Sequence, residues 1–297
     1  MSDSDREIER IVGKVLRTAD AMGKYPTRVD DIVAAVGLYE AEESLLAEGA
    51  FAGAPVRIKR AWRLIRGKVR GLLDRKERAI HLDPTILLEV RRRFIRLHEV
   101  AHDVLPWQKD VAVRIDTDET LAPEVRALFE MEASTTAAHL LFQLNAFTDV
   151  TRDLDVGIGA ILLGAPQFGG SLRAGLRRYV QRHELPMVGF VLDTSPQPGE
   201  PLRFLRHEIV TSVAYRNRFP PPFAVFRREM SADRYPFILQ AAAAGATRNT
   251  SVCGDWRTRD VNGEVVTLRT EFYCTSHDTL VLMWLPIAKA KRRQLTA

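Results

Sequence analysis

Two histidines four residues apart, with a glutamate directly after the first, constrain this chain more than any other feature of its sequence. They are His98, Glu99 and His102, and Pro106 follows shortly after them. On a helix this spacing places both imidazoles on one face, one turn apart, so that both rings can reach one ion. The same helix carries apolar residues suited to burial, at Leu97, Val100, Ala101, Val104 and Leu105.

Zinc is the ion that this set of residues favours. It binds imidazole nitrogens at about 2.0–2.1 Å, and two ligands from one helical turn fix half of a tetrahedral site. Glu99 adjoins the first ligand, where a carboxylate can take a proton from a water at the open metal position and pass it to a leaving amine. The sequence therefore predicts one Zn²⁺ per chain, with His98 and His102 as ligands and Glu99 as general base.

A catalytic zinc needs a third protein ligand, and a carboxylate from a neighbouring helix is a common choice. The segment 123–142 is predicted to be helical and contains Glu130 and Glu132. At about 100° per residue these side chains point about 200° apart, so only one of them can face the metal. Ser134, one turn after Glu130, can serve as a small hydrogen-bonding partner. Glu130 is therefore the predicted third ligand, and Glu132 is the alternative.

Residues 69–83 are predicted to form a β-hairpin just before the helix that carries the histidines. Its strands are 69–73 and 78–82, joined by a charged turn. Pro84, preceded by Asp83 as a cap, is predicted to open the helix. A strand beside that helix can take an extended peptide as an additional strand along its free edge. We therefore expect substrate to bind along the hairpin.

Charges of opposite sign are separated along the first part of the chain. Helices predicted at residues 29–36 and at about 40–46 are acidic, which disfavours binding to phosphate. A basic block without an acidic residue follows, and Trp62 within it offers a stacking surface. Such a block is typical of an interface for single-stranded nucleic acid, but a solvated basic face is an equal alternative. The block consists of Arg57, Lys59, Arg60, Arg63, Arg66, Lys68 and Arg70.

The chain is long enough for two domains, since it has 297 residues of which 46% are hydrophobic. We expect a zinc metallopeptidase domain at residues 1–150, a helical extension at 151–185 and a separate C-terminal domain at 186–297. Strands are predicted at 188–192, 264–273 and 279–285. The expected fold class is α+β, with a mainly helical zincin-like metallopeptidase domain that contains a small β-hairpin sheet, followed by a smaller α+β domain.

A cytoplasmic location without a membrane partner is expected. No apolar run reaches transmembrane length, and the polar start lacks the apolar core of a secretory signal. Two cysteines, Cys253 and Cys274, are too few for a disulfide framework. A thiolate from Cys253 could occupy the fourth position of the zinc and silence it. Inert structural thiols are the alternative, and Cys274 is expected to be one because it directly follows the predicted strand 264–273.

An ordered set of motifs over about residues 25–180 resembles the ImmA/IrrE-type zinc metallopeptidases. Its parts are Val29–Leu38, the 69–83 hairpin, Arg92-Arg93-Phe94, the histidine motif, Leu105-Pro106-Trp107, Glu130–Ser134 and Leu140-Leu141. The resemblance implies His98, His102 and Glu130 as ligands and Glu99 as general base. Members of the family usually carry asparagine or aspartate where Ser134 stands, and often a phenylalanine near Thr136, so the chain departs from the pattern there.

The resemblance also implies a biological role, and it implies that the domain at 186–297 is sensor-like and controls the peptidase. Many members of that family lie beside a helix-turn-helix repressor and cleave it under DNA stress, in prophages, mobile elements and anti-phage defence operons. The expected substrate is therefore such a repressor, and single-stranded DNA bound by the basic block is the expected activator. The alternatives are a DNA-binding transcriptional regulator that keeps zinc for structure, and a peptidase of broad housekeeping specificity.

Overall fold

The computed structural model describes residues 3–57, 59, 60, 62, 69–109, 122–193, 203–246 and 252–286. The chain divides into two compact units. Unit 1 comprises Met1–Asp149 and Ala165–Ser171, and unit 2 comprises Val150–Gly164 and Leu172–Ala297. Two helices, α5 (Ala146–Arg152) and α6 (Ile158–Gln167), have residues in both units.

Unit 1 contains helices and a small sheet. The helices are α1 (Asp3–Thr18), α2 (Val29–Ala35), α3 (Glu89–Val104) and α4 (Pro123–Leu141). The strands are β1 (Tyr39–Glu40), β2 (Gly71–Asp74) and β3 (Ala79–Leu82), in the order β1-β3-β2. β1 runs parallel to β3, and β2 runs antiparallel to it. β2 therefore lies at the edge of this sheet as far as the described strands go.

Helices α3 and α4 pack against each other, because small residues allow a close approach. Ala101 of α3 and Ala133 and Ala137 of α4 are fully buried. Such residues let the axes come near enough for side chains of the two helices to meet at their exposed rim. The predictions of α3, α4 and the 69–83 hairpin are confirmed.

A buried ion pair joins the hairpin to the C-terminal turn of α3. Arg78, which ends the hairpin turn, donates from its two terminal nitrogens to the carboxylate of Asp103 at 2.5 and 2.9 Å. The same guanidinium also donates to the carbonyl oxygens of Val36 and Gly37, just after α2. Because Asp103 follows His102 directly, this arginine fixes the turn of helix that carries the second histidine.

Two local predictions for unit 1 are wrong. Pro84 does not open α3, which begins at Glu89, because the Asp83 carboxylate accepts from the backbone and hydroxyl of Thr85 and closes a turn instead. The helix predicted at about 40–46 is absent. Tyr39 and Glu40 form β1, whose pairing with β3 outweighs a weak helical pattern.

Unit 2 is built on an antiparallel sheet of six strands, in the order β6-β5-β4-β9-β8-β7. The strands are β4 (Met187–Leu192), β5 (Arg203–Thr211), β6 (Glu229–Ser231), β7 (Val252–Arg259), β8 (Val265–Cys274) and β9 (Thr279–Trp284). Its helices include α7 (Leu172–Arg182), α8 (Val213–Arg218), α9 (Pro222–Val225) and α10 (Ile238–Ala246). Large buried rings dominate the core, at Phe190, Phe204, Phe226, Phe237 and Phe272.

The expectation of a mainly helical, zincin-like fold with a small hairpin sheet is wrong. The dominant sheet among the described residues is a curled antiparallel half-barrel of six strands, so the fold is α+β and not mainly helical. β4, β8 and β9 were predicted within one residue at each end, whereas β5, β6 and β7 were not predicted. β7 alternates strictly between exposed and half-buried residues, and β5 is largely polar on its outer face. A strand that buries only one face lacks the continuous apolar run of a central strand such as β9.

Within the described part of the chain, every helix is too short or too polar to cross a lipid bilayer.

Replacing Asp103 by asparagine should destabilise unit 1. The substitution removes a carboxylate whose side chain is 5% exposed and leaves the Arg78 charge without a counter-ion. We expect a loss of about 2 kcal/mol in the free energy of unfolding, typical of a hydrogen-bonded charged group that is partly exposed. Urea unfolding followed by circular dichroism measures it. Arg10→Gln, which breaks the exposed pair with Glu7, is the control and should leave the midpoint unchanged; equal effects of both variants would contradict the assigned role of Arg78.

Candidate metal centre

A cleft of about 690 Å³ in unit 1 contains the histidine motif. β2 and the residues that flank it line one side, and α3 and α4 line the other. The floor is apolar in part, with Leu72, Leu73, Phe94 and Ile95. The predicted hairpin and the predicted ligand helices therefore border one cavity.

Three potential ligands converge in this cleft. The Nε2 atoms of His98 and His102 lie 3.2 Å apart. Glu130 reaches over from α4, with Oε2 at 3.1 Å from the Nε2 of His98 and Oε1 at 3.7 Å from the Nε2 of His102. One ligand atom from each of the three residues lies within 4.8 Å of the others.

These distances suit a tetrahedral cation. Ligands at about 2.0–2.1 Å from a zinc ion are about 3.3 Å from one another along the edges of the tetrahedron. The nitrogen–nitrogen and nitrogen–oxygen separations here are within a few tenths of an ångström of that value. Two imidazoles and one carboxylate are also the donor types that zinc prefers. The residues present therefore fit the metal.

Hydrogen bonds on the far side of the rings support this arrangement. The Nδ1 of His102 lies 2.7 Å from the Oε1 of Gln108. Because an amide oxygen can only accept, the proton of this ring belongs on Nδ1, which leaves the Nε2 lone pair free for a metal. The sequence had suggested Ser134 as a hydrogen-bonding partner of Glu130. In the structure its hydroxyl lies 3.4 Å from the Nδ1 of His98 instead, so Ser134 supports this histidine.

Glu99 lies beside the three ligands but has a different environment. Its side chain is buried, with the residue 7% exposed. Burial raises the pKa of its carboxyl to about 7, against opposing effects from His98 and from the backbone N–H of Leu73, which donates to it. By contrast, the hydrogen bond to His98 lowers the pKa of Glu130 below its usual value. Glu99 is therefore placed to carry a proton, and Glu130 to stay charged.

The free edge of β2 faces Glu99. Arg70 accepts from the backbone N–H of Asp83 through its carbonyl, so positions 70, 72 and 74 bond to β3 and positions 71 and 73 point the other way. A Cβ built on Gly71 would lie 2.5 Å from Ile95 and 2.6 Å from the Glu99 carboxylate. Only glycine lets this strand come so close to α3.

Glu132, the alternative third ligand, points away from the histidines. Its carboxylate accepts from Trp107 at 2.7 Å, from Gln108 at 3.1 Å and from Ser4 at 3.1 Å. It therefore holds Gln108, which in turn holds His102. The structure brings together His98, Glu99, His102 and Glu130 and gives Glu132 a supporting position.

The basic block is described only in part. Arg57 and Arg60 are exposed, Lys59 is half-buried, and Arg70 lies at the edge of the cleft. Arg63, Arg66 and Lys68 lie outside the described residues. Trp62 packs against Phe51 with ring centroids 4.7 Å apart, so this ring already has an aromatic partner.

Cys253, the predicted inhibitory ligand, lies on β7 in unit 2 and is exposed. Its sulfur is 4.0 Å from Glu271. Cys274 is buried, as predicted. That a thiolate masks the zinc stays a prediction.

Sequence reasoning missed three residues of the cleft. Gln108 follows the motif after Pro106, and no spacing rule indicates that it folds back onto His102. Arg75 donates to the carbonyl of His102 at 2.9 Å, and Arg126 lies one turn before Glu130. A helical wheel of α4 could have found Arg126, because it shares the face of Glu130 and Ser134 at a spacing of four residues.

Comparison with known proteins gives little. No family model matches the chain, and no curated protein matches it either. Among solved structures, a Mycobacterium tuberculosis transcriptional regulator is similar with a TM-score of 0.48 and 11% sequence identity, over 94% of this chain and 76% of that one. This partial likeness in fold carries no argument about function.

The two glutamates of α4 should differ in their effect on metal content. Glu130→Ala removes one of three converging donors and should lower the zinc retained after dialysis about tenfold or more. Glu132→Gln should lose less zinc than Glu130→Ala, because its carboxylate acts on His102 only through Gln108. Mass spectrometry of the metal in purified protein measures both. Loss of zinc from Glu132→Gln alone would contradict the assignment of Glu130.

Proposed function

We propose that this chain is a zinc-dependent endopeptidase whose reaction takes place in the cleft of unit 1. The observation that carries the proposal is the convergence of His98, His102 and Glu130, with the buried Glu99 beside them. Three protein ligands and one free carboxylate are the set that metallopeptidases use, because the fourth metal position stays open for reaction. A structural zinc would be closed by four protein ligands, whereas three converge among the described residues.

The edge of β2 supports a peptide as the substrate. Its outward backbone groups at Gly71 and the carbonyl of Leu73 lie along the cleft that contains the ligands, whereas the N–H of Leu73 already donates to Glu99. An extended peptide can pair with such an edge as an additional strand, which aligns a backbone carbonyl with the site by main-chain hydrogen bonds. Pairing along a strand edge recognises the backbone of a peptide and not its sequence. The side chains of the substrate must therefore be recognised by other parts of the cleft.

Glu99 is the residue that moves the proton. Zinc held by His98, His102 and Glu130 would supply Lewis acidity, polarising the carbonyl and acidifying water. Glu99 then accepts a proton from the attacking water on its carboxylate and delivers it to the nitrogen of the departing amine. Burial, which raises the pKa of the Glu99 carboxyl to about 7 in the absence of a metal, favours a carboxyl that can hold a proton between these two steps. The N–H of Leu73 and the packing of Gly71 against it keep the carboxylate directed into the cleft.

The finer proposal concerns the natural substrate. We infer a helix-turn-helix repressor cleaved in the cytoplasm, with single-stranded DNA as activator through the basic block. The support is the ordered set of motifs that resembles the ImmA/IrrE-type peptidases, together with the exposure of Arg57 and Arg60. Cleavage of such a repressor would release the genes that it silences.

Glu99→Gln should abolish peptide cleavage while zinc remains bound. The amide keeps the shape of the side chain but cannot accept a proton, and loss of a general base typically lowers kcat by about 10²–10⁴-fold. A fluorescence-quenched random peptide library, incubated with the zinc-loaded full chain, provides the assay. Glu77→Gln, in the exposed hairpin turn, is the matched control and should behave as wild type.

Two results would count against the peptidase. One is wild-type protein that holds zinc but cleaves neither the library nor a helix-turn-helix repressor encoded beside it, with or without single-stranded DNA. The other is a Glu99→Gln variant as active as wild type. A regulator that binds DNA without catalysis would tolerate this substitution.

Gly71→Ala adds only one methyl group but should lower peptidase activity strongly. The added methyl group would overlap Ile95 and the Glu99 carboxylate, so β2 must retreat from α3 or Glu99 must turn. We expect kcat/KM to fall about tenfold or more, because displacing a catalytic group by 1 Å can cost up to about 10²-fold in rate. Gly53→Ala, whose methyl would meet no atom within 4 Å, is the control. Unchanged activity of Gly71→Ala would show that the strand edge does not hold substrate.

A further inference from the structure

The cleft of unit 1 has an excess of positive charge that the peptidase chemistry does not need. Apart from the imidazoles, Glu99 and Glu130, the charged side chains among the described residues that line it are three arginines, namely Arg70, Arg75 and Arg126. Glu130 faces the imidazoles, where bound zinc would offset its charge. Asp83 offsets part of the charge of Arg70, but Arg75 and Arg126 keep the charge that faces a substrate positive.

The arginines occupy separate positions around the edge strand. Arg70 directly precedes β2 and Arg75 directly follows it, so they lie about 17 Å apart along an extended strand. Arg126 stands on the opposite side, on the face of α4 that carries Glu130 and Ser134. A peptide paired with β2 would thus pass one cation near each end and a third across from it.

Each arginine retains donors that could face a ligand. Arg70 gives one terminal nitrogen to Asp83 at 2.6 Å, and its side chain is 46% exposed. Arg75 gives one terminal nitrogen to the carbonyl of His102 at 2.9 Å, while its buried Nε has no hydrogen-bond partner within the described structure. Arg126 is exposed. A guanidinium has five N–H groups in a planar fork that matches a carboxylate, so these side chains can bind one while keeping their present contacts.

We propose that the cleft selects acidic peptides, in which aspartate or glutamate stands two or three residues to either side of the bond at the centre of the cleft. The proposal rests on the proposed function, since it takes β2 as the strand that pairs with substrate. Arg70 and Arg75 set the two outer positions, and Arg126 adds attraction from α4. Basic peptides are disfavoured by the same three charges.

Nucleic acid is the other polyanion to which arginines bind, but the cleft favours peptide. An unpaired strand edge presents alternating N–H and C=O groups, which match a peptide backbone and not a phosphodiester. Stacking surfaces for bases are the usual second component of a single-strand site. The described aromatic residue that lines the cleft is Phe94, which is half-buried.

Binding to the zinc-loaded Glu99→Gln protein tests the selection without a need for turnover. Three fluorescein-labelled octapeptides of one neutral sequence carry Glu, Gln or Lys at the second and third positions on each side of the centre. We expect the Glu peptide to bind about tenfold tighter than the Gln peptide and the Lys peptide to bind more weakly still, with the preference falling as salt rises. Equal affinities of the three peptides would overturn the proposal.

Arg126→Gln, made in the Glu99→Gln background, tests the assignment of the charge. Arg126 is exposed, so Gln can replace it with little effect on packing, and its loss should weaken the Glu peptide about threefold to tenfold and leave the Gln peptide unchanged. Arg126→Glu should favour the Lys peptide. Arg91→Gln is the matched control, because Arg91 is exposed on α3 but does not line the cleft. If Arg91→Gln weakens the Glu peptide as much as Arg126→Gln, the preference comes from net charge and the proposal is overturned.

The remaining outcomes separate this proposal from the peptidase. If the protein cleaves peptides in a zinc-dependent reaction without a preference for Glu peptides, the proposed peptidase activity stands and the proposed selection is contradicted. If the protein binds Glu peptides selectively but the wild type cleaves no peptide, the proposed selection of acidic peptides stands and the proposed peptidase activity is contradicted. A labelled oligothymidine that displaces the Glu peptide, and loses affinity equally in Arg126→Gln, would assign the arginines to phosphate and overturn the proposal.

Discussion

The close approach of β2 to α3 is the constraint on which the rest of the cleft depends. At Gly71 the strand backbone comes so near that any Cβ would overlap Ile95 and Glu99. Two residues on, the N–H of Leu73 donates to the Glu99 carboxylate. One strand thus does two things at once, because the N–H of Leu73 orients the acid while the other outward backbone groups of the strand face the same cavity. Neither a longer side chain at position 71 nor a strand further out would achieve both.

Holding this strand against the helix requires links outside the cleft. Arg78 bonds Asp103, directly after His102, and also reaches the backbone after α2. The carboxylate of Glu132 accepts a hydrogen bond from the amide of Gln108, and the amide oxygen of Gln108 accepts one from the Nδ1 of His102. Burying Glu99 and clustering two imidazoles with a carboxylate costs free energy in the absence of a metal. The ion pairs and the apolar contact of α3 with α4 offset that cost, so a site of low intrinsic stability stays folded.

Most of what could be predicted from the sequence came from the spacing of residues along single helices. His98 and His102 must share a helical face, and Glu130 and Glu132 cannot, whatever the rest of the chain does. The choice between the two glutamates depends on how α4 is rotated about its axis, which long-range packing of Ala133 and Ala137 decides. For the same reason the roles of Gln108 and Arg75 could not be predicted, since a turn after Pro106 and a strand end bring them to His102. In unit 2, β9 was predicted because five of its six residues are apolar. β7 was not, because three of its four outward residues are charged and its neighbours are known only once the sheet is assembled.

The two glutamates of the cleft illustrate how position rather than residue type assigns chemistry. Glu99 is 7% exposed and faces apolar surface and one backbone N–H, so burial dominates and raises the pKa of its carboxyl to about 7. The side chain of Glu130 is 58% exposed and lies against two imidazoles, so hydrogen bonding dominates and lowers its pKa. Environments that shift the pKa values of two carboxyl groups in opposite directions make one group a proton carrier and the other a permanent anion. The separation comes from the helices that carry them. α3 turns Glu99 towards the hairpin and α4 brings Glu130 to the rim, so exchanging the two roles would require repacking both helices rather than a substitution in the motif.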